Sequence, residues 1–80
     1  MVKTWKIGEY AMGGIIRVST KPRGVFSVEC IDWDTKEVIR WRYVHGYNEL
    51  LDFLEDLTTS YYADKIVTYF KTKTTLIKTL

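Results

Sequence analysis

Three short turn signals cut the first half of the chain, and they constrain the fold more than any other feature. They are Met12-Gly13-Gly14, Lys21-Pro22-Arg23-Gly24 and Asp34-Thr35-Lys36. A Gly-Gly pair permits a tight reversal, Pro presets one turn dihedral, and Asp and Thr side chains satisfy backbone groups in a turn. Between them lie residues 5–10, 15–20, 25–33 and 37–44, rich in β-branched and aromatic side chains. Connections this short leave consecutive strands side by side and antiparallel. The spacing predicts a four-stranded meander.

Alternation then assigns two faces to that sheet. Ile16 and Val18, then Phe26, Val28 and Cys30, then Ile39, Trp41 and Tyr43 fall on one parity and are expected to form the apolar face. The other parity carries Lys6 and Tyr10, then Arg17, Ser19 and Lys21, then Ser27 and Glu29, then Arg40 and Arg42. Its cations outnumber its carboxylates.

A helix follows over about residues 48–59, with Asn48 as the expected N-cap and Glu49 and Asp52 in its first turn. Leu50, Leu51, Phe53, Leu54, Leu57 and Tyr61 form its apolar stripe, while Glu49, Asp52, Glu55 and Asp56 form its acidic one. Past Thr58-Thr59-Ser60 the register fails, because Ile66, Val67 and Phe70 would project from the acidic side of a continuing helix. Ala63, Ile66, Val67 and Phe70 fit a second short helix from near Ser60; the β-rich run Ile66 to Phe70 leaves a fifth strand as the alternative. The expected fold is α+β: a four-stranded antiparallel meander, an amphipathic helix on one sheet face and a second short helix. Residues 1–70 form one domain and residues 71–80 a Lys/Thr-rich tail frayed at its end.

At 80 residues the chain has room for one core only. No apolar run approaches the length of a membrane-spanning helix and no signal peptide is visible, so a cytoplasmic setting is expected. Cys30 is the single cysteine, which leaves no internal disulfide and fits a small core residue. His45, the single histidine, lies at a strand–helix junction with no nucleophile near it in sequence. Asp32 and Asp34 flank Trp33 without a third metal ligand, and turn chemistry accounts for them. Gly13-Gly14 lacks the spacing of a phosphate loop. These absences disfavour an enzyme, and no cofactor or metal is expected.

The charge order points towards binding. Net charge is only +2, yet residues 47–64 hold five acidic residues and no basic one, whereas residues 65–80 hold Lys65, Lys71, Lys73 and Lys78 and no acid. Single-stranded nucleic acid needs cations along its backbone and exposed π-faces for its bases. The polar sheet face offers Lys6, Arg17, Lys21, Arg40 and Arg42 for the first, and Tyr10 and Trp33 for the second. With turns at Met12–Gly14, Lys21–Gly24 and Asp34–Lys36 and a helix from Asn48, residues 4–60 resemble the PUR-repeat, PC4 and whirly group of single-stranded nucleic-acid binders in order of elements. No family motif matches residue by residue, so no functional residue is carried over. Proteins of that group generally pair two such units; the resemblance implies a homodimer. The apolar helix positions, with Tyr61, Tyr62, Ile66, Val67 and Phe70, point the same way, because they exceed what four short strands can cover. The alternative reading is a protein–protein module, such as a small viral or mobile-element inhibitor, acting through the acidic helix or the edge strands. A structural subunit of a larger complex is a third.

Overall fold

The computed structural model describes residues 1–79, with side chains described through Lys73. Strands β1 (Val2–Lys6), β2 (Gly14–Lys21), β3 (Val25–Asp32) and β4 (Val38–His45) form one antiparallel sheet in the order β1-β2-β3-β4. Helices α1 (Gly46–Leu57) and α2 (Ser60–Thr79) cover one of its faces. The fold is α+β, as the turn spacing implies.

The first strand lies earlier than expected. The strand ends at Lys6, Ile7 already takes helical backbone angles, and Gly8–Tyr10, with Gly8 at φ +68°, form a turn of 3-10 helix rather than strand. The β2–β3 connection also departs from a simple turn, since Arg23 at φ 65° takes the left-handed conformation together with Gly24. The β1–β2 connection demands its glycines. A Cβ on Gly13 would lie 2.8 Å from the Ile31 carbonyl oxygen, and one on Gly14 would press on the Trp33 side chain at 3.2 Å.

Helix α1 starts two residues before Asn48. Gly46 at φ +78° turns β4 directly into the helix, and the Glu49 carboxylate reaches back to accept the His45 backbone N–H at 3.2 Å. The N-terminal cap is therefore made by Glu49, and Asn48 lies inside the helix. The helix ends at Leu57, where Thr58 becomes extended and pairs with Ala11. Met12 donates its N–H to the Leu57 carbonyl at 2.8 Å, and the Thr58 hydroxyl donates to the Tyr10 carbonyl. These bonds tie the first hairpin to the helix–helix corner.

The second element is a helix and not a fifth strand. It spans twenty residues, so the segment set apart as a tail is helical as far as Thr79; Leu80 lies outside the described residues. Its Ala63, Ile66, Val67 and Phe70 are buried with Leu50, Phe53, Leu54 and Leu57 of α1 against Ile16, Val18, Phe26, Val28 and Cys30. Phe70 packs on Trp5 and Phe26, with ring centroids 5.8 and 5.6 Å apart, and so closes the layer over the first and third strands. The helix residues that promised surplus apolar surface are thus largely covered by the chain's own sheet. Tyr61 stays exposed.

Two outcomes test this core. Leu54, fully buried, should cost about 2–5 kcal/mol when cut to alanine, read as a lower urea midpoint; a cost under ~0.5 kcal/mol would contradict the helix register. Burial pushes the Cys30 thiol up to about 11, with Arg40 pulling weakly the other way. Since the unfolded thiol ionises at lower pH, the unfolded state binds fewer protons than the native one between about pH 9 and 11. Stability should therefore fall across that window, and more steeply in the wild type than in Cys30→Ala.

Candidate functional site

The β3–β4 pairing decides what each sheet face carries. From the hairpin, Ile31 faces Val38, but the next pair is Cys30 with Arg40, so Ile39 is an extra residue with no partner on β3. Continuing the first register would have set Ile39, Trp41 and Tyr43 opposite Cys30, Val28 and Phe26, on the apolar face. A one-residue slip sends every later side chain to the other face. The observed partners of Cys30, Val28 and Phe26 are Arg40, Arg42 and Val44. Only Val44 of this strand is buried.

Arg40 and Arg42 therefore lie on the helix side, correcting their expected place on the polar face. Their guanidinium carbons sit 5.1 and 5.4 Å from the Phe53 ring centroid, capping the edge of the core. Arg42 also shares a cleft with Glu49, Asp52 and Asp56 of α1. The acidic stripe of α1 thus has basic neighbours within its own chain.

Trp41 and Tyr43 move to the open face, where they are 58% and 54% exposed. Their ring centroids are 5.3 Å apart and the planes nearly perpendicular at 82°. Together with Val38, Lys21, Ser19, Ser27 and Glu29 they line a shallow hollow of about 430 Å3. Lys6, Arg17 and Lys21 share this face, as expected from alternation. The Arg17 Nε donates to the Glu29 carboxylate at 2.7 Å; that bond raises the Arg17 pKa and fixes the direction of its guanidinium. An exposed pair of this kind contributes at most about 1 kcal/mol.

The two aromatics expected beside these cations are placed elsewhere. Tyr10 belongs to the turn after β1, and its ring lies 5.8 Å from that of Tyr62 on α2. It is not on the sheet face, because the strand ended before it. Trp33 follows β3 at the hairpin end, half-exposed, against Gly14 and with the Lys36 ammonium 5.3 Å from its ring. The structure thus brings Lys6, Arg17 and Lys21 onto one face, leaves Trp33 at its end, and removes Tyr10, Arg40 and Arg42. Trp41 and Tyr43 were absent from the expected site. The signal for them was the adjacent pair Val38-Ile39, which puts an apolar residue on each parity where a bulge begins.

The remaining polar groups have local roles. Asp32 accepts backbone N–H groups from Thr35 and Asp34 at 2.9 Å each, and these bonds lower its carboxyl pKa. Among the described residues no group of three His, Cys, Asp or Glu side chains is placed to hold a metal ion. Comparison with protein-family models, curated proteins and solved structures finds no match to this chain.

The inversion of β4 has a direct test. Trp41→Ser should change folding stability by no more than about 0.5 kcal/mol, the range of ordinary surface substitutions. Val44→Asp buries an unpaired carboxylate and should unfold the domain. The opposite ranking, by thermal melts of the two variants, would restore the uninterrupted register.

Proposed function

We propose that this chain is a small non-enzymatic nucleic-acid-binding protein that holds single-stranded DNA or RNA on the open face of its sheet. One observation carries the reading: Trp41 and Tyr43 stand side by side on that face, more than half exposed, in a hollow that also contains Lys21. Leaving an aromatic of this size in water forgoes about 1.5–3 kcal/mol of burial, which a stacked base would supply. The perpendicular rings offer two separate π-faces, suited to two successive bases. Lys6, Arg17 and Lys21 supply phosphate contacts, and the hydroxyls of Ser19 and Ser27 supply hydrogen bonds of no fixed sequence preference. The expected partner is thus a single strand, read by stacking and charge.

A second reading uses the same face. β4 is a terminal strand with an unpaired outer edge, and Val38, Ile39, Trp41 and Tyr43 make it apolar. A protein partner, or a second copy forming the homodimer, would bury the same residues.

Titration of oligothymidylate and oligouridylate against intrinsic tryptophan fluorescence separates the two. Trp41→Ala and Tyr43→Ala should each weaken binding by about 1–3 kcal/mol. With three cations engaged, log affinity should fall with log salt at a slope of about −2. Reversal of Arg40 and Arg42 to Glu should leave the affinity nearly unchanged in the protein that remains folded, since both lie across the sheet. A wild type that binds neither oligomer at low salt, and sediments as a dimer or larger, favours the protein partner.

A further inference from the structure

Lys65 and Lys73 of α2 take no part in the open face, yet both lie beside β1, whereas Lys71 lies over the Tyr47 ring. At the seam where α2 covers β1, the ammonium groups of Lys3 and Lys73 lie 5.4 and 5.5 Å from the centroid of the same Tyr69 ring. Lys65, one helical turn before Tyr69, lies over the Tyr61 ring at 5.1 Å and lines the same cleft as Lys3. That cleft contains Trp5, Tyr69 and a single carboxylate, Asp64. Among the described residues no carboxylate oxygen is within ion-pair distance of Lys3, Lys65 or Lys73. Each of the three lysines is exposed and has its ammonium over a tyrosine ring.

Lys3 and Lys65 line one cleft with a single carboxylate, so their like charges are only partly offset there. The ring faces offset part of that repulsion, and an anion entering the cleft removes more of it. The cleft is therefore suited to a phosphate, with tyrosine rings beside it. It is also well placed. β1 is the terminal strand of the sheet, with Lys6 on its open face and Lys3 on its helix face. The sheet is about three strand spacings wide, roughly 14 Å from β4 to β1. A strand stacked on Trp41 and Tyr43 and crossing the sheet past Arg17 reaches Lys6, and one further turn round the edge reaches Lys3.

We propose that the β1–α2 seam, built from Lys3, Lys65 and Lys73 around Tyr69, is a second phosphate-binding site that holds the backbone of a nucleic-acid strand after it leaves the open sheet face. The proposal rests on the single-strand reading above for its ligand. It divides the work between two surfaces: base stacking at β4, backbone charge at the β1 edge and α2.

The experiment compares oligothymidylates of about 5 and about 15 nucleotides, lengths that bracket a face-only and a wrapped site. The double variant Lys65→Glu with Lys73→Glu should weaken the long oligomer ~10-fold or more, and flatten its salt slope by about 1–1.5. The short oligomer should keep its affinity within about twofold. The pair Lys65→Gln with Lys73→Gln, which adds no repulsion, should give an intermediate loss, and circular dichroism should show native helix content in both variants. If the double reversal leaves the long oligomer's affinity and slope unchanged while Trp41→Ala weakens both lengths, the seam is not a site and the face reading stands. If the long oligomer binds and is lost in the double reversal but is indifferent to Trp41→Ala, the face reading falls, and with it the path from face to seam that the proposal states. Failure of both lengths to bind overturns both.

Discussion

One unpaired residue in β4 organises both surfaces of this molecule. Ile39 has no partner on β3, and its insertion between the Ile31–Val38 and Cys30–Arg40 pairs turns the rest of the strand over. On the helix side this leaves Val44 as the single core contribution of β4, with Arg40 and Arg42 lying over Phe53 as a polar rim. On the other side it exports Trp41 and Tyr43. The bulge has its own seat, because the Ile39 side chain reaches the position that a Cβ on Gly13 would occupy, at 2.7 Å. The glycine in the first turn and the bulge in the last strand are thus fitted to each other.

The sequence makes the central layer of the fold readable and its edges less so. For β2 and β3 one parity carries the main core, Ile16 and Val18, then Phe26, Val28 and Cys30, although Ile15 and Ile31 on the other parity are buried as well. The helix break at Thr58–Ser60 was legible because Ile66, Val67 and Phe70 could not share the stripe of Leu50, Leu54 and Leu57. Terminal strands carry weaker signals, since one side of each is open whichever way it faces. In β4 both parities contain apolar residues, so composition favoured Ile39, Trp41 and Tyr43 for the core, and only the register sends Val44 there. In β1 the extended run stops at Lys6, so Tyr10, which shares its parity, never enters the sheet. The candidate site inherits these errors. Its cations on the inner strand β2, Arg17 and Lys21, were legible, whereas its aromatics depended on a bulge that parity does not reveal.

The order of charges along the chain becomes an order across the molecule. α1 packs on β3 and β4, so its acidic stripe lies at the β4 edge beside Arg42. Phe70 and Tyr69 of α2 pack on Trp5, so Lys65 and Lys73, which follow the acidic run, lie at the opposite edge with Lys3. A net charge of +2 therefore conceals a lateral dipole, acidic where the sheet ends and basic where it begins. For a polyanion such a field sets orientation as well as attraction, because approach to the acidic edge is penalised and approach to the basic edge is favoured.

Phe70 sits against Trp5 and Phe26, so residues from opposite ends of the chain meet in one aromatic cluster. In chain order α1 follows the strands directly and brings Leu50, Phe53, Leu54 and Leu57 to the apolar face, whereas Phe70 comes later still. Until α2 is in place, Trp5 and Phe26 lack the ring that packs on both of them. A chain cut before Phe70 would keep the sheet and α1 yet leave Trp5 and Phe26 partly bare, an apolar surface open to association.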